Sequence, residues 1–178
     1  RFKDSPQNTG FYNYMQLLSS KKNELNALKS QENSSNEKKI ETLTNEMLDY
    51  QSNFSKNNPN LFFGKMLKAS EEVQIPDAPV LADGKIDSMF QLNHYKAHFF
   101  DNFDLSDDRM IRTPILHSKV NTYLENLTHK IPDSIIVSCD YLIEKSRSNS
   151  EMFKYMVSYL TSKYERSKIM GVEKVFVH

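Results

Sequence analysis

Apolar residues recur at alternating three- and four-residue steps in this chain of 178 residues, and this spacing constrains the fold more than any other feature. The clearest run consists of Ile40, Leu43, Met47, Tyr50 and Phe54. Residues three and four apart lie on one face of an α-helix, so the run forms a narrow apolar seam. Only four glycines occur, and the alternation typical of β-strands is scarce. The sequence therefore predicts an all-α fold.

Two such seams with a polar connector between them predict an antiparallel helical hairpin at the start of the chain. The first seam lies within residues 11–28, and the polar connector covers residues 29–39. From Pro114 onwards the connectors are only a few residues long, so neighbouring helices should also run antiparallel there. We expect about seven to eight helices in all, packed as a bundle or as a short stack of α-hairpins.

Prolines, glycines and small polar residues mark the expected helix boundaries. They predict an irregular loop over residues 73–85 and a break at Gly171 before a last helix. Before and after this loop, we expect helices over residues 61–69, 86–101 and 106–112. Three further helices should start near Pro114, near Pro132 and at Asn149 or Ser150. Thr113 is suited to the N-cap position, with Pro114 as the first helical residue.

The chain divides by composition into an extended N-terminal hairpin, residues 1–58, and a helical core, residues 59–178, which we expect to form one structural domain. It starts without an initiator methionine, and it stops at "GVEKVFVH" within an apolar periodic pattern. Natural C-termini rarely stop without a helix cap. We therefore expect a piece of a longer chain, truncated in its C-terminal helix.

Charge and cysteine content exclude several classes of function. The 23 basic and 23 acidic residues balance to a formal net charge of zero, and no basic block provides a nucleic-acid surface. No apolar run approaches the ~20 residues of a membrane-spanning helix. Cys139, the single cysteine, cannot form a Cys-x-x-Cys pair, and its apolar neighbours predict burial. Motifs for cofactors, phosphate loops and catalytic nucleophiles are lacking, so we expect neither a cofactor nor a catalytic residue.

One polar stripe has the residue types of a metal site. His94, His98 and Asp101 follow at four- and three-residue steps, which would place them on one helix face. Two imidazoles and a carboxylate could ligate zinc, although they fill only part of its ligand shell. Because apolar residues flank the stripe on both sides, the preferred interpretation is the solvent face of a helix that is otherwise buried.

The stretch from Asp101 to Arg112, here called the charged corner, is the other candidate site. Its charged residues are Asp101, Asp104, Asp107, Asp108, Arg109 and Arg112. Their spacing does not fit a calcium loop, which needs oxygen ligands at alternate positions and a glycine. We expect Ser106 to be an N-cap with Asp107 and Asp108 in the first helical turn. Both arginines could then pair with Asp101, Asp104 or Asp108, or bind a partner's carboxylate or carbonyl groups.

Four segments in order resemble a helical domain of unknown function from bacterial cell-envelope thiol–disulfide oxidoreductases. They are SPQNTGFYNYMQLL (5–18), NNPNLFFGKMLKASEEVQIP (57–76), HFFDNFDLSDDRMIRTPIL (98–116) and YMVSYLTSKYERSKIMGVEKVFVH (155–178). The resemblance implies a periplasmic or envelope location. It also implies a thioredoxin-like domain (AhpC/TSA, TlpA-like) later in the parent chain, which would carry the Cys-x-x-Cys pair that is lacking here.

These features together favour a non-catalytic accessory domain that positions the redox domain or binds its client protein. The expected contact surface is the charged corner with the final helices, where charge lies beside aromatic residues expected to be exposed. One alternative is a stand-alone helical module that binds a protein or peptide on a concave surface. The second is a metal-dependent enzyme that uses His94, His98 and Asp101. A homo-oligomer is compatible with each of them.

Overall fold

The structure is a computed structural model that describes residues 5–30, 36–167 and 171–178. Its regular elements in these ranges are eight α-helices and one 3₁₀ helix, with no β-sheet, so the all-α prediction is confirmed. The helices are α1 (Pro6–Lys29), α2 (Asn36–Asn57), α3 (Phe62–Ala69), α4 (Phe90–His98), the 3₁₀ helix (Asp108–Arg112), α5 (Pro114–Asn126), α6 (Pro132–Ser146), α7 (Ser150–Glu165) and α8 (Glu173–Val177). Residues 31–35 of the predicted connector lie outside the described residues, and its last four residues, 36–39, already belong to α2, so the connector is shorter than predicted.

The chain divides into two compact units, Arg1–Glu71 and Glu72–His178. The helix α3 belongs to the first unit, whereas the composition of the sequence placed the boundary after residue 58. The reason is packing, since Gln51 on α2 donates a hydrogen bond to the carbonyl of Leu67 at 2.8 Å. Whether the two units fold as one domain stays a prediction.

The first unit is an α1–α2 hairpin, with α3 packed against it through aromatic rings. Tyr14 and Tyr50 stack with their centroids 5.9 Å apart. Phe63 of α3 is buried and meets the ring of Phe54 edge-on at 5.3 Å. Gly10 lets the helices approach closely, because a Cβ atom there would lie 2.4 Å from the Phe54 ring. The seams predicted from three- and four-residue spacing are therefore the packed faces of this hairpin.

The core of the second unit is built from the apolar faces of α5, α6 and α7. The spacing predicted Leu116, Val120, Tyr123 and Leu127 as the buried face of α5, and Leu127 is only half-buried. On α7 the predicted Phe153 is also half-buried, and its neighbour Met152 is buried instead. The buried side chains are Leu116, Val120, Tyr123 and Leu124 of α5, Ile135, Ser138, Cys139, Leu142 and Ser146 of α6, and Met152, Met156, Leu160 and Tyr164 of α7.

The helix starts follow the sequence signals closely. Pro114 and Pro132 occupy the first turns of α5 and α6, where a missing N–H group removes no bond. Asn149 caps α7, because its Oδ1 accepts hydrogen bonds from the backbone N–H groups of Glu151 and Met152 at 3.0 and 3.1 Å. Thr113 occupies the N-cap position of α5, but its hydroxyl donates to the Met110 carbonyl instead.

The prediction of one helix over residues 86–101 is wrong at both ends. Ile86 forms an isolated antiparallel bridge with Val80, and α4 starts only at Phe90. The helix ends at His98, and the chain then turns so that both Phe99 and Phe100 are buried. Burial of two successive rings favours a turn, since neighbouring residues on a helix point about 100° apart.

Among the described helices, none combines the length and the apolar character that crossing a membrane requires.

Candidate functional site

The charged corner is held in place by apolar side chains that point inwards. Phe100, Phe103, Leu105 and Met110 are all buried. The ring of Phe100 packs edge-on against Tyr123 of α5 at 5.2 Å. The expectation of exposed aromatic residues beside the charges is therefore wrong, because these rings anchor the turn to the core. Of the charged residues of the corner, Asp107 is also buried, whereas Asp101, Asp104, Arg109 and Arg112 are exposed.

Asp107, and not Ser106, caps the 3₁₀ helix. Its Oδ1 accepts from the backbone N–H of Arg109 at 3.2 Å, and its side chain is only 6% exposed. Ser106 lies one residue before the cap position, and its N–H and hydroxyl both donate to Asp104 Oδ1, at 3.0 and 2.5 Å. The prediction of a Ser106 cap is thus wrong because the helix starts at Asp108, one residue later than expected.

Arg109 forms a bidentate ion pair with Asp107, a partner that the spacing rules did not select. The guanidinium Nε donates to Oδ1 at 2.7 Å and Nη2 donates to Oδ2 at 2.5 Å. This hydrogen bonding raises the pKa of Arg109, with smaller contributions from the nearby charges of Asp107, Asp108 and Asp104. Arg112 is exposed and forms no ion pair with the described residues. Arg109 thus has a structural partner within the corner, and Arg112 remains available to another chain.

A cleft of about 360 Å³ opens at the Asp101 end of the charged corner. The aromatic side chains that line its inner part are Phe100, Phe103 and Tyr141. The charged side chains at its rim are Asp101, Asp104 and Lys145. Burial, together with the Asp101 carboxylate, raises the pKa of Tyr141. The Lys145 ammonium lies 5.7 Å from the centroid of the Tyr141 ring.

Tyr141 and Lys145 were not identified as site residues from the sequence. They lie on α6, far along the chain from the charged corner, and both belong to the ordinary helical pattern of that segment. Only the packing of α6 against the turn after α4 brings them to the cleft. No local signal could have found them.

The histidine stripe is brought together, and its His98 and Asp101 side chains are exposed. The expectation that the rest of this helix is buried is wrong, since none of the residues of α4 is buried. The ring centroids of His94 and His98 lie 4.3 Å apart, and His98 Nδ1 is hydrogen-bonded to Asp101 Oδ2 at 2.6 Å. His94 is half-buried, and its Nδ1 atom is buried without a hydrogen-bond partner in the described part of the chain. Within the same ranges, no group of three or more histidine, cysteine, aspartate or glutamate side chains could hold a metal ion.

Cys139 is buried, as its apolar neighbours predicted. Burial, and to a lesser degree the charge of Asp140, raises the pKa of its thiol to about 12. A thiol with this pKa stays protonated at neutral pH, and only the thiolate is a strong nucleophile. Its geometry therefore suits a packing role.

Lys96 and Ser138 form a polar contact that the sequence did not reveal. The Lys96 ammonium donates to Ser138 Oγ at 3.2 Å, and the hydroxyls of Ser138 and Thr128 are 2.9 Å apart. Burial lowers the pKa of Lys96. A serine beside a lysine of lowered pKa is one form of nucleophile and base. Ser138 is only 1% exposed, however, so a substrate cannot reach its hydroxyl. The contact links α4 to α6.

Comparison with known proteins gives one family. The family described as "Domain of unknown function (DUF5106)" matches residues 20–178, which is most of the chain. No curated protein and no solved structure matches the chain significantly.

Proposed function

We propose, given that the chain belongs to the family Domain of unknown function (DUF5106), that it is a non-catalytic accessory domain which binds a second protein domain through its charged corner. The partner we propose is a thioredoxin-like domain of the same parent chain, a thiol–disulfide oxidoreductase of the periplasm or cell envelope. The support for this partner is the resemblance of the four sequence segments. Positioning of the redox domain, or binding of its client protein, would be the role of the contact.

The observation that carries the proposal is the cleft at the charged corner. Its aromatic interior is fixed by packing, and its rim bears Asp101, Asp104 and Lys145. Protein interfaces typically combine an aromatic centre with a polar rim, and a rigid surface loses little conformational entropy on binding. Lys145 and Arg112 form no ion pair with the described residues, so both cations can meet carboxylates of a partner.

The chemistry of the ionisable groups favours binding over catalysis. Arg109 is held by Asp107, and the Asp101 carboxylate is hydrogen-bonded to His98. The Cys139 thiol and the Ser138 hydroxyl are both buried. We therefore place the redox chemistry of the proposed parent protein in the thioredoxin-like domain and not among these residues.

The test is isothermal titration calorimetry, in which the separately produced thioredoxin-like domain of the parent chain is titrated into this 178-residue chain. Arg112→Ala and Lys145→Ala should each weaken binding roughly ten-fold, as expected for a charge-assisted contact at an interface. Lys22→Ala is the matched control, since Lys22 is also exposed but belongs to the first unit, and its binding should equal that of the wild type.

The variant Arg109→Ala tests whether this arginine contributes to the stability of the fold and not to partner binding. It leaves the carboxylate of Asp107 buried without its guanidinium, so we expect a loss of about 1–3 kcal/mol in the free energy of unfolding. Unchanged binding by both Arg112→Ala and Lys145→Ala would rule out the charged corner as the contact surface. A parent gene that encodes no thioredoxin-like domain would rule out the proposed partner.

A further inference from the structure

The segment between α3 and α4 contains a small β-hairpin whose outer edge is open. Val80 and Ile86 form an antiparallel bridge, and the bonds that close it join Leu81 N–H to the Lys85 carbonyl at 2.7 Å and Asp87 N–H to the Pro79 carbonyl at 3.1 Å. In an antiparallel pair, residues between two such bonds direct their own N–H and C=O groups outwards. Val80 and Ile86 are in that position.

The outer edge of Val80 continues into a short stretch of backbone without hydrogen bonds. The N–H groups of Asp77, Ala78 and Val80 donate no backbone hydrogen bond within the described ranges. Pro79 does not interrupt this edge, because its carbonyl already faces Asp87 on the inner side of the hairpin. Pro76 has no N–H group to donate, so the edge ends there. An added strand could therefore pair with the chain at Val80 and extend towards Asp77.

Exposed apolar side chains are concentrated in the same segment. Of the fourteen exposed large hydrophobic side chains in the described residues, six lie between residues 75 and 92. They are Ile75, Val80, Leu81, Ile86, Met89 and Leu92. Val80 and Ile86 lie on one face of the hairpin and are 69% and 67% exposed. This exposed apolar pair is therefore accessible to another polypeptide.

Charge decides which kind of strand fits this edge. Residues 72–87 contain Glu72, Asp77, Asp83 and Asp87, and their one basic residue, Lys85, is paired with Asp83 at 3.2 Å. A second copy of the same edge would place carboxylates opposite carboxylates, which is destabilising across paired strands. An extended segment with alternating apolar and basic residues complements both the apolar face and the acidic flanks.

From these observations we propose that residues 77–81 form a docking edge for an extended, basic polypeptide segment, which adds to the hairpin as a third strand beside Val80. This interaction goes beyond the contact at the charged corner and involves different residues. Backbone hydrogen bonds would supply affinity, and the alternation of apolar and basic side chains would supply selectivity.

The test uses the isotope-labelled 178-residue chain and a blocked peptide of alternating lysine and valine as the probe, observed by NMR. The amide of Val80 should become protected from hydrogen exchange on binding, while the amides of Leu81 and Asp87 stay as they are in the free chain. A peptide of alternating glutamate and valine is the matched probe, and it should bind at least roughly ten-fold more weakly because of the acidic flanks.

Two proline variants locate the docking edge. Val80→Pro removes the outward N–H group and leaves both inner bonds of the hairpin, so binding should weaken roughly ten-fold. Ile86→Pro removes the corresponding N–H group from the opposite edge, and its binding should stay within roughly two-fold of the wild type. Retained protection of the Leu81 and Asp87 amides shows that the hairpin is intact in each variant.

Three outcomes would overturn the proposal. The first is the lack of amide protection at Val80 with the lysine–valine peptide at about 1 mM, a concentration that detects even weak binding. The second is equal affinity for the two peptides. The third is protection of Val80 that depends on protein concentration without peptide, which would make a second copy of the chain the occupant. None of these measurements depends on a thioredoxin-like domain, so their failure leaves the proposed function to its own test.

Discussion

At the scale of single residues, burial is the main cause of the shifted pKa values in this molecule. Cys139 and Tyr164 pack together in the second unit, and burial is the largest cause of the raised pKa of both side chains. Lys119, which lies over the ring of Phe99 at 4.7 Å, has its pKa lowered by the same cause. Desolvation disfavours the charged form of any group, so acids and bases shift in opposite directions. The pH dependence of stability follows from these shifts.

We predict that Cys139 makes the protein less stable at alkaline pH. The pKa of its thiol is about 12 in the folded state, against 9.0 for an ordinary thiol. A raised folded pKa contributes stability that is complete below pH 9 and is lost as the pH rises towards 12. Between pH 8 and pH 10 the wild type should therefore lose about 1.4 kcal/mol more than Cys139→Ala.

Urea denaturation at the two pH values measures this difference. The variant will have a lower free energy of unfolding at pH 8, because truncating a buried side chain leaves a small cavity. The change between pH 8 and pH 10 is the informative quantity. Equal changes in the wild type and in Cys139→Ala would show that the thiol is more accessible to water than its burial indicates.

At the level of elements, close approach depends on a few small residues. A Cβ atom on Gly64 of α3 would lie 2.3 Å from the backbone oxygen of Asn58. The chain bends sharply there, with Leu61 N–H donating to that same carbonyl at 3.1 Å. A backbone oxygen cannot move aside as the end of a flexible side chain can. The position of α3 therefore requires glycine at residue 64.

We predict that Gly64→Ala destabilises the first unit by about 1–3 kcal/mol, the usual cost of overpacking. Alanine favours a helix over glycine by only about 1 kcal/mol, which is too little to offset a clash with fixed backbone. Lys68→Ala, an exposed change on the same helix, is the matched control and should stay within about 0.5 kcal/mol of the wild type. Thermal unfolding followed by circular dichroism compares the three proteins, and equal stability of both variants would contradict the contact with Asn58.

At the scale of the whole molecule, charge balance dominates. The formal net charge is zero at pH 7, and the pI of the sequence is about 7.1. Molecules without net charge repel one another least, which promotes association.

The solubility of the chain should consequently be lowest near pH 7. We expect higher solubility at pH 5 and at pH 9, where the chain carries a net charge. Precipitation by ammonium sulfate at the three pH values measures this, with circular dichroism as a control that the fold is retained. A solubility at pH 7 that matches or exceeds the values at pH 5 and pH 9 would contradict the charge balance.

The helical pattern could be predicted because it depends on neighbours along the chain. Residues three and four apart meet on one helix face whatever else the molecule does, so the buried faces of α5, α6 and α7 followed from spacing alone. The starts at Pro114 and Pro132 followed from the missing N–H group of proline. The prediction of a Ser106 cap failed for a local reason, because the 3₁₀ helix starts one residue later than expected and the carboxylate of Asp107 caps it.

The candidate site could be predicted only in part. Its acidic residues share one stretch of sequence, but Tyr141 and Lys145 come from α6, and Lys96 reaches Ser138 from a different helix. The end of α4 at His98 depends equally on the burial of Phe99 and Phe100 against α5. By itself, the sequence determined which faces of the helices are buried, because periodicity is a property of the chain. The tertiary structure alone decided which side chains share the cleft, because segments distant in sequence meet only when those faces pack.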